Sequence, residues 1–116
     1  MSKFMLILYD RPSEWADVTP AEVQRIIEEY SAWGRALAER GKLSSSMKLK
    51  EEGGKQLIGR NGSAVVRDGP YAEATEVIGG YFAIEAANYD EAVSIARSCP
   101  HIKYSGRIEV REVDLV

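Results

Sequence analysis

Apolar and polar positions change their spacing several times along the chain, and each spacing names an element. Phe4 to Tyr9 is continuously apolar, which predicts a central strand buried on both faces. Val23, Ile26, Ile27, Tyr30, Trp33 or Gly34, and Leu37 recur at helical spacing and give a single apolar stripe. Thr19, Pro20 and Glu22 form a capping box with proline at the first helical position, and Gly41 is placed to end the helix. The first helix is therefore expected at about Pro20 to Arg40.

The next run, KLSSSMKLK, alternates: Leu43, Ser45, Met47 and Leu49 against Ser44, Ser46, Lys48 and Lys50. It predicts a strand. Two short extended pieces follow, joined by a tight turn at Asn61-Gly62. Val77 to Ala86 is a longer strand. Asn88 and Glu91 repeat the capping logic for a helix over Tyr89 to Arg97, which ends before Pro100. GRIEVREVDLV alternates again and supplies the last strand.

The order strand, helix, strand, small hairpin, strand, helix, strand predicts an α+β fold. It is the ferredoxin-like split β-α-β pattern: one antiparallel sheet with both helices on one face, in a single domain over residues 1–116. Placing Leu43, Met47, Ile78, Phe82, Ile84, Ile108 and Val110 toward the helices leaves Ser44, Ser46, Lys48, Tyr81, Glu85, Arg107, Glu109 and Arg111 on the other face. That face either meets water or is covered by a second copy, in which case two sheets enclose a cavity with polar walls.

Composition narrows the function. A net charge of -3 and the absence of a basic run argue against a nucleic-acid partner. One cysteine, Cys99, excludes an internal disulfide, and one histidine, His101, argues against a metal or heme site built from histidines of one chain. No cofactor is expected. The apolar run near the N-terminus is too short for a signal peptide or a membrane span, which predicts a cytoplasmic protein with no membrane partner.

Two stretches, RDGPYAEATEVIGGYFAIEA from Arg67 and ARSCPHIKYSGRIEVREV near the end, resemble the YCII-related family. More narrowly they are similar to its DGPF subgroup, with Tyr71 in place of phenylalanine. The resemblance implies a homodimer, a dimeric α/β barrel in which the sheets of two subunits pack together. Some members resemble small-molecule enzymes with a histidine and an aspartate in a cleft. The first helix here has no histidine; Tyr30 or Ser31 stands at the matching place.

The candidate site residues follow from chemistry and alternation. Asp68 ends a strand in Asp-Gly-Pro; it is either a turn residue accepting backbone N–H groups or a carboxylate presented to a ligand. His101 either caps a helix end, where a cation is favoured, or works as a general acid or base. Tyr81 and Arg111 are expected to converge with Asp68 on a ligand, with Tyr9, Tyr30, Ser46 and Lys48 lining the walls. Gly79 and Gly80 imply a bulge or a close approach by another group. Cys99 reads as a small buried hydrophobe. Two functions compete: a small-molecule enzyme or enzyme-like binder, and a non-catalytic dimeric module that binds a ligand and serves regulation or assembly.

Overall fold

The computed structural model describes residues 1–70 and 75–115. Tyr71 of the Asp-Gly-Pro-Tyr motif lies outside the described residues. Among the described residues six strands and three α-helices form an α+β fold: β1 (Ser2–Asp10), α1 (Pro20–Glu39), β2 (Leu43–Lys48), β3 (Lys55–Arg60), β4 (Ser63–Asp68), β5 (Val77–Ala86), α2 (Tyr89–Arg97), α3 (Pro100–Lys103) and β6 (Arg107–Glu112), with a short 3₁₀ turn at Pro12–Trp15. The main sheet runs β2-β5-β1-β6 with antiparallel pairs throughout, and β3 and β4 form a separate hairpin. No helix of the described residues is long and apolar enough to cross a membrane.

Local chemistry sets the helix starts. The Thr19 hydroxyl accepts the Glu22 amide at 3.2 Å, and the Asn88 side chain accepts the Glu91 amide at 3.0 Å. Glu91 reaches back to the Ala87 amide and also pairs with Lys42, so the second cap ties α2 to the entry of β2. The hairpin turns at Asn61 and Gly62, both with positive φ, as a type I′ connection requires.

The core lies between the helices and one sheet face. Phe4, Leu6, Leu37 and Ile84 are its largest fully buried members, joined by Leu8, Phe82, Ala86, Ala92, Ile95, Ala96 and Cys99. Trp33 meets Phe82 edge-on at 5.0 Å and donates its indole N–H to the Ser98 hydroxyl, which locks α1 to both β5 and α2.

Two irregularities change which side chains face the helices. In β2 the register shifts between Leu43 and Ser45, so Ser46 pairs with Phe82 and Lys48 with Gly80. An extra residue in a strand inverts every position after it. Ser46 and Lys48 therefore turn toward α1, and Met47 turns to the open face, where it is 66% exposed. This corrects the alternation expected for the strand. The second shift lies between Leu8 and Tyr9 against β5: Leu8 pairs with Gly80, Tyr9 with Ile78, and Gly79 is passed over. Ile78 accordingly leaves the helix side and is 50% exposed. β1 is an inner strand of the sheet, but its burial alternates: Phe4, Leu6 and Leu8 are buried, while Met5, Ile7 and Tyr9 are half-buried on the open face.

The double glycine serves two different contacts. A Cβ on Gly80 would stand 2.5 Å from the Met47 carbonyl oxygen, so glycine here lets β2 close onto β5. A Cβ on Gly79 would collide with the Asp10 carboxylate. The bulge expected at this pair is present, and the approaching groups are the β2 backbone and an aspartate at the end of β1.

Candidate functional site

A cavity of about 470 Å³ lies between α1 and the sheet, open along the β2 edge. That is a volume suited to a small organic molecule. Its walls are Leu8, Val23, Ile26, Ile27 and Phe82, with Trp15 of the 3₁₀ turn at one end. Its polar lining includes Asp10, Tyr30, Ser31, Arg35, Ser46, Lys48 and Glu51. The cavity is thus on the helix side of the sheet, within the single chain.

His101 sits behind this wall. It is the second residue of the short helix α3 instead of capping the end of a longer one, and it is 2% exposed. A buried imidazole must have its ring nitrogens satisfied, and both are. Nδ1 lies 2.8 Å from the Tyr30 hydroxyl, and Nε2 lies 2.8 Å from the Tyr9 carbonyl oxygen. A carbonyl can only accept, so Nε2 carries the hydrogen. In the neutral ring Nδ1 then accepts, and Tyr30 donates its O–H to it. The phenol oxygen is left with lone pairs for whatever enters the cavity. Gly106 makes room for the ring, because a Cβ there would fall 2.2–2.5 Å from three of its atoms.

Asp10 completes the group. Its Oδ1 is 3.9 Å from His101 Nε2. Burial holds its carboxyl above the usual aspartate range, opposed by the positive charge available at His101 and Lys48. Burial likewise raises the Tyr30 phenol far above its ordinary value, so a free phenolate is disfavoured. The Cys99 thiol, buried beside them, is pushed up to about 11 and is a poor nucleophile.

The arrangement can relay a proton. A proton reaching the Tyr30 oxygen displaces the phenol's own hydrogen onto Nδ1, which leaves an imidazolium and a neutral phenol. The Tyr9 carbonyl and the Asp10 carboxylate then stabilise the cation. In that charged state Nδ1 donates to Tyr30, and the phenol O–H is free to donate into the cavity. One pair of residues thus offers an acceptor in one protonation state and a donor in the other.

The remaining sequence candidates are spread over three places. Tyr30, Ser46 and Lys48 line the cavity, the last two because of the bulge in β2. Tyr81 borders the cavity, while its register opposite Ile7 and Met47 assigns it to the open face. Tyr9 contributes its carbonyl to His101 and sends its phenol to the open face, where the hydroxyl donates to Glu109 at 2.8 Å and Arg107 stacks over the ring at 3.9 Å. Arg111 pairs with Glu109 on that same face. Asp68 stands on the hairpin, 81% exposed, in an ion pair with Lys55 across the strands. The structure does not bring Asp68, Tyr81 and Arg111 together around one cavity.

Asp10 was missed from sequence. The available signal was an aspartate closing the central strand while a glycine pair opens its neighbour, but only the register shows that Gly79 faces Asp10. Gly106 was missed for the same reason.

A family model described as the YCII-related domain matches residues 2–115. An uncharacterised protein of Rhizobium meliloti (strain 1021) is 30% identical over 114 residues, which are 97% of this chain and 92% of that protein. Among solved structures, the 5-chloro-2-hydroxyhydroquinone dehydrochlorinase of Burkholderia phenoliruptrix AC1100, in complex with 2,5-dihydroxybenzoquinone, aligns with a TM-score of 0.48 at 18% identity, covering 97% of this chain and 93% of the other.

Proposed function

We propose, for a chain that belongs to the YCII-related family, that the cavity between α1 and the sheet binds a small organic molecule and transfers a proton to or from it. Asp10 and Tyr30 face the molecule, and His101 acts through Tyr30. The observation that carries this reading is a buried histidine held on both nitrogens, with a phenol between it and the cavity and a carboxylate alongside. A packed core has no use for such a cluster. Glycines are required next to two of its members, Asp10 and His101, so the fold gives up side-chain packing to house it. A histidine is absent from α1, and α3 brings His101 to the Tyr30 hydroxyl instead, which supports the acid/base reading.

Hydrogen–deuterium exchange from D₂O into a panel of enolisable ketones and related carbon acids tests the reading. The native protein is expected to catalyse exchange into at least one of them. Tyr30→Phe should lower that rate by about 100-fold or more, the scale of one acid/base group. A molecule that binds the cavity but never exchanges, in either protein, would favour the non-catalytic module instead.

The DGPF subgroup remains the finer placement supported by Asp68-Gly69-Pro70, with Asp68 as the last residue of β4. We also propose a homodimer through the open sheet face. Met5, Ile7, Met47 and Tyr81 form an apolar centre there, flanked by Lys3, Arg107 and Arg111 and by Glu85 and Glu109. Both charge signs on one patch suit a two-fold contact, where each surface meets its own copy. Sedimentation at micromolar concentration should give twice the 12.9 kDa chain mass. A monomer would return this face to solvent.

A further inference from the structure

We propose that the molecule taken by the cavity is an organic carboxylate: an apolar, ring-sized body with its anionic group at Arg35 and Lys48 and its reacting proton at Tyr30 and Asp10. This rests on the cavity being the binding site. The charges at the cavity mouth carry it. Arg35 lines the cavity, is exposed, and has no carboxylate partner within ion-pair distance among the described residues. Lys48 is turned to the same side by the β2 bulge, and its ammonium is held by the Leu49 carbonyl at 3.2 Å and by Glu51 at the long distance of 3.9 Å. Glu51 itself is 81% exposed. Two cations thus overlook the apolar cavity, Arg35 with no carboxylate partner among the described residues and Lys48 with the exposed Glu51 at 3.9 Å.

Of the two carboxylates in the lining, Asp10 and Glu51, the more buried one, Asp10, is differently placed. Asp10 already has His101 and Lys48 nearby, and Gly79 leaves space for its carboxylate. A ligand cation would be repelled by Arg35 and Lys48, and a neutral ligand would leave the guanidinium fork unused. A carboxylate matches that fork with two parallel hydrogen bonds. Tyr30 and Arg35 are five residues apart on α1, about 7.5 Å along its axis. A single ring with substituents at opposite ends spans such a gap, which fits an anionic anchor at one end and proton transfer at the other.

NMR titration of the full chain with benzoate, benzamide and benzylamine tests this, using the Trp15 indole signal to report the cavity. Benzoate is expected to bind about tenfold more tightly than benzamide, the scale of one charge-assisted hydrogen bond. Benzylamine should bind most weakly. The Arg35→Gln, Lys48→Gln double variant should bring benzoate and benzamide within about twofold of each other while Trp15 still responds to both. Equal binding of benzoate and benzamide to the native chain, or a benzoate preference that survives the double variant, overturns the carboxylate assignment and leaves the cavity as the site. If none of the three probes moves the Trp15 signal at millimolar concentration, both the assignment and the cavity reading fall.

Discussion

Gly106→Ala should destabilise the protein by about 2–3 kcal/mol and lower its melting temperature by roughly 10 °C. An alanine at most loop positions changes little, and replacing glycine often helps by restricting the unfolded chain. Here the new methyl would occupy the space of the His101 ring, at 2.2 Å from Nε2. The ring has nowhere to go. It is 2% exposed, and any displacement breaks its bond to the Tyr9 carbonyl or to the Tyr30 hydroxyl. A buried polar atom left without its partner costs about 1–3 kcal/mol, on top of the overpacking. A double-mutant cycle separates this contact from any general effect on the α3–β6 connection. His101→Ala removes the ring, so Gly106→Ala should then cost almost nothing. If Gly106→Ala is as stable as the native chain, or if its cost is the same with and without the histidine, the imidazole is not held where the structure places it.

The elements of this fold were legible because each is written locally. Thr19 and Asn88 are followed at the right spacing by Glu22 and Glu91, Asn61-Gly62 can adopt two positive φ values, and the helical stripe of α1 needs no long-range information. What sequence pattern could not supply is the phase of β2. The run Ser44-Ser45-Ser46 gives no cue as to which serine is the extra one, and the bulge there exchanges the faces of Ser46, Met47 and Lys48. Ser46 and Lys48 line a cavity, as expected of wall residues, yet on the opposite side of the sheet from the one alternation assigns. The acid/base cluster was hidden for a related reason. Tyr30 and His101 are 71 positions apart, and His101 and the Tyr9 carbonyl 92 apart. No spacing rule reaches that far. Glycines at 79 and 106 were the nearest thing to a signature, since each marks a place where a functional side chain needs the volume of a Cβ. The Asp-Gly-Pro motif is dense in turn residues, and its aspartate pairs with Lys55 at the open end of an exposed hairpin.

Asp10→Asn should raise stability near neutral pH while abolishing most of the proposed proton-exchange activity, a drop of about 100- to 10,000-fold if the carboxylate moves a proton. The two effects have one origin. Burial lifts the Asp10 carboxyl above its ordinary value, so the folded protein holds that proton more tightly than the unfolded chain does. Ionisation is therefore a cost of folding. Below the unfolded value, about pH 3.9 for an aspartate, both states are protonated and the cost is absent. It grows as the pH rises from there through the folded value, and is complete above it. Asparagine fills the same space opposite Gly79 with no charge to desolvate, so its advantage should be largest at pH 7 and shrink toward zero by about pH 4. Thermal unfolding of the two proteins across that range reads the stability arm, and the rate of deuterium exchange into a responsive ketone reads the other. The native rate should fall on the acid side at a pH above the ordinary aspartate value, and that limb should vanish in the variant. An asparagine variant that is less stable at pH 7 than at pH 4, relative to the native chain, would mean that His101 and Lys48 hold the Asp10 carboxylate more strongly than burial opposes it, and Asp10 would then be a fixed counter-ion to the imidazole, no longer a candidate base.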